Sequence, residues 1–495
     1  MSDQNPADPP PVAAADEPAA ETAVATPVAR SKKPLVIAAS AVAFVVLATG
    51  ALLGGVAVGS QAGARAEPEP TVTPGPRSVP AVIPPAVQLR TCSVGELAAD
   101  PELQALHGAV LRLDGEGAEL LYGSDPSSPI TVGGVMKLYT AASALTVLGA
   151  DYRIATSVVE GESPGTAVLI ARGDATLSRL AEGQEGFYPG APKLASLAAQ
   201  LVDSWSLTHP GDPLTQLVID TTYWNQGDNW NSSWPTSMRA DGTMPYITSL
   251  MVDGDRDDPT KQTSRRSSDP VARATSAFLD ALAAADPTGT VIDPGVTITS
   301  GTASSGAALL AEVQSQKIST LVQFMLTTDD NTLAEMLSRV ISQRGGLDGS
   351  MSSVSGIIPS SLTESDIPVD GLIVDDGSGV STRGQVPPDD LATFLGLIQD
   401  GSNGLDVIAD ALAVAGESGG LADRFSDSPA KGHVSAKTGR NSLSTAMAGI
   451  VEAEDGALLA FAVSASREGV GTGAWAPMDA LIEGFHECGS NLAAH

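Results

Sequence analysis

The chain has 495 residues, with 58 acidic and 27 basic side chains and a formal net charge of −31 at pH 7. This length exceeds what one hydrophobic core usually holds, so two or more domains are expected. The sequence has no basic stripe, which argues against nucleic-acid binding, because such binding depends on clustered Lys and Arg.

The N-terminal region has the pattern of a tail followed by a membrane anchor. Residues 1–33 are rich in Pro, Ala and acidic side chains and end in basic ones, which predicts a disordered cytoplasmic tail. Residues 34–59 are uncharged and long enough to span a bilayer as one helix. Basic residues before this segment place the N-terminus in the cytoplasm and the rest outside. The alternative is a signal peptide cleaved near Ala62-Gly63-Ala64.

A proline-rich stretch at 60–91 predicts a semi-extended linker to the folded part. The chain has two cysteines, Cys92 and Cys488, which bracket everything that follows. An even count in an oxidising compartment favours a disulfide between them, although two unrelated thiols remain an alternative.

The stretch from Thr131 to Asp151 reads as a glycine turn that opens into a helix. Its apolar residues recur every three or four positions, which indicates one buried helical face. Gly133 and Gly134 allow the turn to approach a ligand closely. Lys137 falls in the first turn, where a cation is electrostatically disfavoured, so it needs an anionic partner or a function.

The remaining pattern predicts an α+β domain interrupted by a strand-rich insertion at 153–300. Two short strands precede the glycine turn, and a hairpin turning at 454–456 precedes a closing helix. The predicted segments are strands at 109–114, 117–123, 166–178, 216–224 and 245–254, and helices at 270–285, 318–340 and 474–488.

Six segments in a fixed order carry a family resemblance. Three include the motif positions G-x-x-K at 134–137, D-x-N at 329–331 and K-T-G at 437–439, and the others lie at 169–178, 374–381 and 414–425. This order is similar to the S-x-x-K, S-x-N and K-T-G elements of the penicillin-binding protein/β-lactamase superfamily. With the long insertion, the chain resembles the D-alanyl-D-alanine carboxypeptidase/endopeptidase family of penicillin-binding protein 4, over residues 95–487.

The resemblance implies a transpeptidase-like domain at 92–152 and 301–488, with an antiparallel sheet and helices. It also implies acyl-enzyme chemistry, without a cofactor or metal, on peptidoglycan stem peptides that end in D-Ala-D-Ala. Lys137 corresponds to the lysine that activates the nucleophile, and Asn331 to the asparagine that holds the substrate amide. Lys437, Thr438 and Gly439 correspond to the strand that binds the terminal carboxylate.

Three positions depart from the family pattern. Gly134 stands where the nucleophilic serine belongs, Asp329 replaces the S-x-N serine, and Arg440 follows K-T-G where threonine or serine is usual. We expect Asp329 to pair with Lys137, and Arg440 to join the same network. Loss of the nucleophile alone costs on the order of a millionfold in kcat in a serine protease, so the sequence predicts a pseudoenzyme.

Two alternatives stay open. One is an active serine-type carboxypeptidase that uses another nucleophile. The other is a cell-wall scaffold that binds a protein partner, with cell-wall synthesis proteins as candidates. If the anchor is retained, each of these functions places the protein in the cell membrane with its folded domain facing the cell wall.

Weaker signals have plainer interpretations. The acidic run at 253–258 imitates a calcium loop but lacks the glycine and glutamate that such a loop needs, so a solvated turn is expected. Trp224, Trp230 and Trp234 are interpreted as partly buried anchors. The segment 376–379 is interpreted as a structured turn near the cleft, not as a second nucleophile.

Overall fold

A computed structural model describes residues 90–114 and 118–493. Within these two ranges no helix is both long and apolar enough to cross a membrane. The predicted tail, the predicted anchor at 34–59 and nearly all of the predicted linker lie outside the described residues.

The described residues form eleven strands and eleven α-helices. The strands are β1 (Leu106–Arg112), β2 (Glu119–Ser124), β3 (Ala155–Glu160), β4 (Thr166–Ile170), β5 (Leu214–Asp220), β6 (Ile292–Ser300), β7 (Leu309–Gln314), β8 (Ala413–Val414), β9 (Val434–Arg440), β10 (Ser444–Glu452) and β11 (Leu458–Ser466). The helices are α1 (Gly95–Ala98), α2 (Lys137–Leu148), α3 (Leu194–Thr208), α4 (Met238–Asp241), α5 (Pro270–Ala285), α6 (Ile318–Thr328), α7 (Asn331–Arg344), α8 (Met351–Thr363), α9 (Pro388–Gln399), α10 (Asp406–Ala409) and α11 (Trp475–Cys488).

The first sheet is fully antiparallel, with strand order β2-β1-β11-β10-β9-β8. Strands β10 and β11 are the hairpin that the sequence predicts, and β9, which carries K-T-G, pairs with β10 so that Lys437 lies opposite Ala448. One face packs on α11 through residues such as Phe461 and Phe485. The other face belongs to the core that includes α2 and α9.

The second sheet is mixed, with order β6-β5-β4-β3-β7 and parallel pairing of β4 with β5 and of β5 with β6. Helices α3 and α5 share its hydrophobic core. Pro270 and the Asp269 cap start α5 where the sequence predicts. The predicted strand at 245–254 is wrong, because this segment contains no strand and ends in a 3-10 turn at Asp253–Asp255.

The predicted continuous helix over 318–340 is also wrong. Asp329 adopts φ 55° and ψ 39°, in the left-handed region, and separates α6 from α7. The side chain of Asp330 then caps α7 by accepting a hydrogen bond of 2.9 Å from the Leu333 N–H. This break presents three consecutive polar side chains, Asp329 to Asn331, at the junction of the two helices.

The disulfide between Cys92 and Cys488 is confirmed, with the two Cα atoms 5.5 Å apart. Beside it, Cys92 pairs with Leu492 in an isolated parallel bridge. The bond therefore fastens the first described residues to the end of α11.

Candidate functional site

The glycine turn brings the start of α2 against the end of β9. Gly133 has φ 53°, and a Cβ there would lie 2.5 Å from the Arg440 backbone nitrogen. A Cβ on Gly439 would lie 2.1 Å from the Val132 carbonyl oxygen. Both glycines are therefore required for close contact between the turn and the strand. This contact places Lys137, at the start of α2, beside the K-T-G strand.

Asp329 lies between the two lysines of the motifs. Its Oδ1 is 3.0 Å from Lys137 Nζ and 2.8 Å from Lys437 Nζ. Lys137 Nζ also donates to Asn331 Oδ1 at 2.7 Å and to the Ser378 carbonyl at 3.0 Å. Lys437 Nζ also donates to the Thr438 carbonyl at 2.7 Å. The sequence prediction that Asp329 supplies a counter-charge for Lys137 agrees with this geometry, and Lys437 shares the same oxygen.

Burial and charge both shape this cluster. The side chains of Lys137 and Lys437 are 1% and 5% exposed, whereas that of Asp329 is 57% exposed. Desolvation raises the pKa of the Asp329 carboxyl, but the adjacent Lys137 and Lys437 ammonium groups outweigh it and hold that pKa well below its usual range. Burial lowers the pKa of Lys437, and the Asp329 carboxylate opposes that shift. The three groups form one cluster in which a single carboxylate is shared by two buried lysine side chains.

Gly134 leaves the nucleophile position without a side chain. A Cβ at this residue would lie 3.0 Å from Asp329 Oδ1 and 3.4 Å from both Lys137 Nζ and the Thr438 carbonyl oxygen. The φ of Gly134 lies outside the left-handed region, so its backbone would accept a side chain. It is the neighbouring carboxylate that restricts the space.

A cavity of about 400 Å³ opens over this cluster, and we call it the cleft. Its lining includes Gly134, Lys137, Asp329, Asn331 and Arg440. Lys437 and Thr438 are not among the described residues that line it, and the Lys437 side chain is only 5% exposed. Arg440 is exposed, and among the described residues it has no carboxylate within 4 Å. The expected pairing of Arg440 with Asp329 is therefore wrong.

Two buried carboxyl groups, Glu335 and Asp376, lie beneath the cleft. The sequence interpretation placed Asp376 in a turn near the cleft but missed Glu335. Glu335 on α7 accepts a 2.8 Å hydrogen bond from the backbone N–H of Ser378. The backbone carbonyl of the same serine accepts a hydrogen bond from Lys137. Burial, together with the nearby Asp376, raises the pKa of Glu335 to about 8. Burial also raises the pKa of Asp376, whose carboxyl accepts from Trp234 Nε1 at 2.7 Å. In the sequence, the one sign of a buried carboxyl group is that Glu335 interrupts the apolar pattern of α7.

The segment 376–379 forms a turn that supports the cleft, as its interpretation suggested. Gly379 N–H donates to Asp376 Oδ1 at 2.7 Å, which closes the turn. Ser378 is fully buried and holds Lys137 through its backbone carbonyl. Ser378 therefore has a structural role in holding Lys137.

The other weak signals have mixed outcomes. Trp224 and Trp234 are buried anchors, each 2% exposed. The interpretation of 253–258 as a solvated turn is wrong at its start, because Asp253 and Asp255 are buried. Asp253 pairs with Arg179 at 3.1 Å, and Asp255 pairs with Arg273 at 3.3 Å.

Comparison with known proteins shows the family of this chain. A family model described as the D-Ala-D-Ala carboxypeptidase 3 (S13) family matches residues 91–263 and 248–483. Carboxypeptidase DacB of Mycolicibacterium smegmatis is 30% identical over 436 residues, which cover 86% of this chain and 90% of that protein. Carboxypeptidase Rv3627c of Mycobacterium tuberculosis is 31% identical over 477 residues, which cover 93% of this chain and 98% of that protein.

A solved structure shares the fold. Penicillin binding protein 4 (dacB) from Haemophilus influenzae superposes with a TM-score of 0.63 at 18% identity, over 79% of this chain and 97% of that chain. The resemblance seen in the sequence is thus confirmed by the family match, the relatives and the fold. The chain belongs to the D-Ala-D-Ala carboxypeptidase 3 (S13) family.

Proposed function

We propose that this protein binds peptidoglycan stem peptides ending in D-Ala-D-Ala without cleaving them through an acyl-enzyme. The observation that carries the proposal is the Lys137–Asp329–Lys437 cluster beside a residue that has no side chain. An acyl-enzyme needs a nucleophile next to a base that accepts its proton. Here Gly134 supplies no nucleophile, and the Lys137 ammonium is held by three acceptors.

The cleft retains groups suited to a peptide ligand. Asn331 uses its Oδ1 for Lys137, while its Nδ2 has no hydrogen-bond partner among the described residues and so remains available to a peptide carbonyl. The guanidinium of Arg440, which is not paired with a carboxylate, suits a terminal carboxylate, since arginine can bind one bidentately. Recognition of the ligand by these two residues requires no covalent step.

We also propose that the folded domain works outside the cytoplasmic membrane, at the cell wall. The disulfide supports this, because such bonds persist in oxidising compartments. The apolar segment at 34–59 supports an anchor that keeps the domain near the membrane.

An active carboxypeptidase is the second candidate, and the names of the two mycobacterial relatives favour it. It requires a different nucleophile in the cleft. Ser233, Ser237 and Ser442 line the cleft. Ser233 Oγ binds Asn231 at 2.8 Å, and no described hydrogen bond joins any of the three hydroxyls to a lysine, histidine or carboxylate. These serines therefore lack the adjacent base that nucleophilic catalysis uses.

The test measures binding and turnover on the same sample. Purified full-length protein is mixed with a stem peptide ending in D-Ala-D-Ala, and with a matched peptide ending in L-Ala-L-Ala. Calorimetry measures binding, and an enzymatic assay measures free D-alanine. The proposal expects stereoselective binding and no D-alanine above the buffer blank. Release of D-alanine would support the second candidate, and equal or absent binding of both peptides would refute the proposed ligand.

A further inference from the structure

We propose that a groove beside the cleft binds a neutral oligosaccharide, the glycan strand that carries the stem peptide. The groove lies between the N-terminal half of α5, the ends of β5 and β6, and the segment 221–229, and we call it the side groove. Its volume of about 740 Å³ lies within the range of small-molecule sites and leaves room for more than one sugar ring. The side groove and the cleft have no lining residue in common among the described residues.

The lining of the side groove is almost free of charge, in a chain whose formal net charge is −31. Within the described part of the chain, Asp269 is the one charged residue that lines it. Oδ1 of Asp269 caps α5 by accepting a 2.9 Å hydrogen bond from the Ala272 N–H. An anion would find no cationic partner in this lining, and the single carboxylate already serves as a cap. The side groove therefore suits a neutral ligand.

The floor of the side groove is apolar and partly open to solvent. Ile298 on β6 is 36% exposed, and Val271 and Leu279 on α5 are only partly buried. Sugar rings have C–H faces that pack on apolar surfaces of this kind, as other small ligands do in mostly apolar sites. The floor thus offers contact to the faces of a saccharide.

Polar groups around this floor are free to bind a ligand. In the described ranges, no hydrogen bond involves the side-chain amide of Asn229 or the hydroxyls of Thr221, Tyr246, Ser268 and Ser276, all of which belong to the lining. None of these five residues is buried. A carboxamide both donates and accepts hydrogen bonds, as the acetamido group of an N-acetylated sugar does, and the hydroxyls can pair with ring hydroxyls.

The walls are held by contacts that leave these groups free. Gln226 Nε2 donates to the Thr221 carbonyl at 2.7 Å. The Ile247 N–H donates to the Asn229 carbonyl at 2.9 Å, which joins the segment of Asn229 to that of Tyr246. The side groove is therefore preformed, so binding requires little ordering of the protein.

The short helix α4 separates the side groove from the cleft. Met238 and Asp241, at its two ends, line the cleft. Arg239 lies between them, and its guanidinium is 4.3 Å from the centre of the Tyr246 ring, which lines the side groove. The two cavities are thus neighbours on either side of one helix.

This separation fits a ligand that occupies both cavities. A helix with its side chains is about 10–12 Å wide, and an extended peptide of four or five residues spans about 13–18 Å. Peptidoglycan stem peptides are attached to N-acetylated amino sugars, so a glycan strand in the side groove can extend its stem peptide into the cleft. The identity of the saccharide as a glycan strand rests on the proposed stem-peptide function.

The first experiment titrates the full-length protein with tetra-N-acetylchitotetraose by calorimetry, with maltotetraose as a matched saccharide that lacks acetamido groups. Maltotetraose should bind about tenfold more weakly, and Asn229→Ala should weaken chitotetraose binding by a similar factor, since each loses hydrogen bonds of the acetamido group. Ile298→Lys should abolish binding, because it places a charge on the apolar floor. Leu309→Lys is the matched control. It changes an exposed apolar residue on β7, at the opposite edge of the same sheet, and should bind as the wild type does.

The chitotetraose carries no peptide, so this titration tests the side groove alone, whereas the stem-peptide titration tests the cleft alone. Soaking wild-type crystals with chitotetraose covers the case in which a variant fails to fold, and sugar density against Asn229 and Ile298 supports the inference. Absence of saturable binding, equal binding of maltotetraose, unchanged binding by Ile298→Lys, or sugar density only at another place would overturn it. Binding of the saccharide without binding of the stem peptide would refute the proposed function and support the side groove.

Discussion

Asp329 Oδ1 lies 3.0 Å from the position that a Cβ on Gly134 would occupy. The missing side chain and the introduced carboxylate therefore compete for the same space. The carboxylate is fixed there by two buried ammonium groups, at 2.8 and 3.0 Å. The two departures from the family motif form one structural unit, in which each change accommodates the other.

This relationship predicts a coupling between residues 134 and 329 in stability. Gly134→Ala should destabilise the wild type by about 1 kcal/mol, because contacts of 3.0 Å force the carboxylate to shift. In an Asp329→Ala background the same substitution should be neutral or stabilising, since alanine restricts the unfolded chain more than glycine does. A double-mutant cycle by urea unfolding measures the coupling. Additive effects of the two changes would show that the residues do not compete.

Removal of the Asp329 carboxylate should destabilise the fold. Asp329→Ala leaves two buried ammonium groups without their shared acceptor and should cost roughly 1–3 kcal/mol, while Asp329→Asn should cost less because one acceptor remains. Both free energies come from urea unfolding at neutral pH. Equal stability of the wild type and Asp329→Ala would mean that the cluster contributes nothing.

Asp329 should also make stability depend on acidic pH. Its folded pKa lies below its unfolded value, so this carboxyl contributes stability above the unfolded pKa near 3.8 and loses it as pH falls toward the folded pKa. The stability difference between the wild type and Asp329→Asn should therefore shrink as pH falls from about 5 toward 2. A difference that stays constant across this range would contradict the assignment.

Glu335 should act in the opposite direction at higher pH. Its folded pKa is raised from 4.5 to about 8, so the folded state binds a proton that the unfolded state has released. Stability from this group is present below the unfolded pKa and is lost as pH rises toward the folded one. Relative to Glu335→Gln, the wild type should lose stability between about pH 5 and pH 8. Parallel Tm profiles of the two proteins would refute this reading.

The disulfide should contribute strongly, because it closes a loop of nearly the whole folded chain, with its cysteines 396 positions apart in the sequence. Removing such a bond typically costs about 2–5 kcal/mol. The double variant Cys92→Ser and Cys488→Ser should show a loss of this size, whereas each single variant also exposes a free thiol. If the double variant were as stable as the wild type, the bond would have no role in stability.

Motif order predicts the family and brings Lys137, Asp329, Asn331 and Lys437 into one region. The four residues come together because each motif has a fixed position on its helix or strand, and the family fold packs these elements against one another. The hairpin, the helix at 270–285 and the closing helix are likewise predictable from local periodicity and turn residues.

What the sequence does not predict depends on conformation or distant packing. The left-handed Asp329 interrupts a stretch whose apolar period is continuous, so periodicity alone joins α6 and α7. Arg440 lines the cleft but lies outside ion-pair range of Asp329, and only side-chain geometry decides this. The raised pKa of Glu335 arises from burial and from Asp376, a residue far from it in the sequence.

The most direct test of the claim that this protein forms no acyl-enzyme is covalent labelling with a fluorescent penicillin. The full-length wild type, Gly134→Ser, Asp329→Ser and the Gly134→Ser/Asp329→Ser double variant are compared on one gel. We predict no labelling of the wild type or Asp329→Ser, and little labelling of Gly134→Ser, because Asp329 still holds the Lys137 ammonium. The double variant should label, since it regains a serine at both motif positions. Covalent labelling of the wild type would contradict the account and reveal a nucleophile other than residue 134.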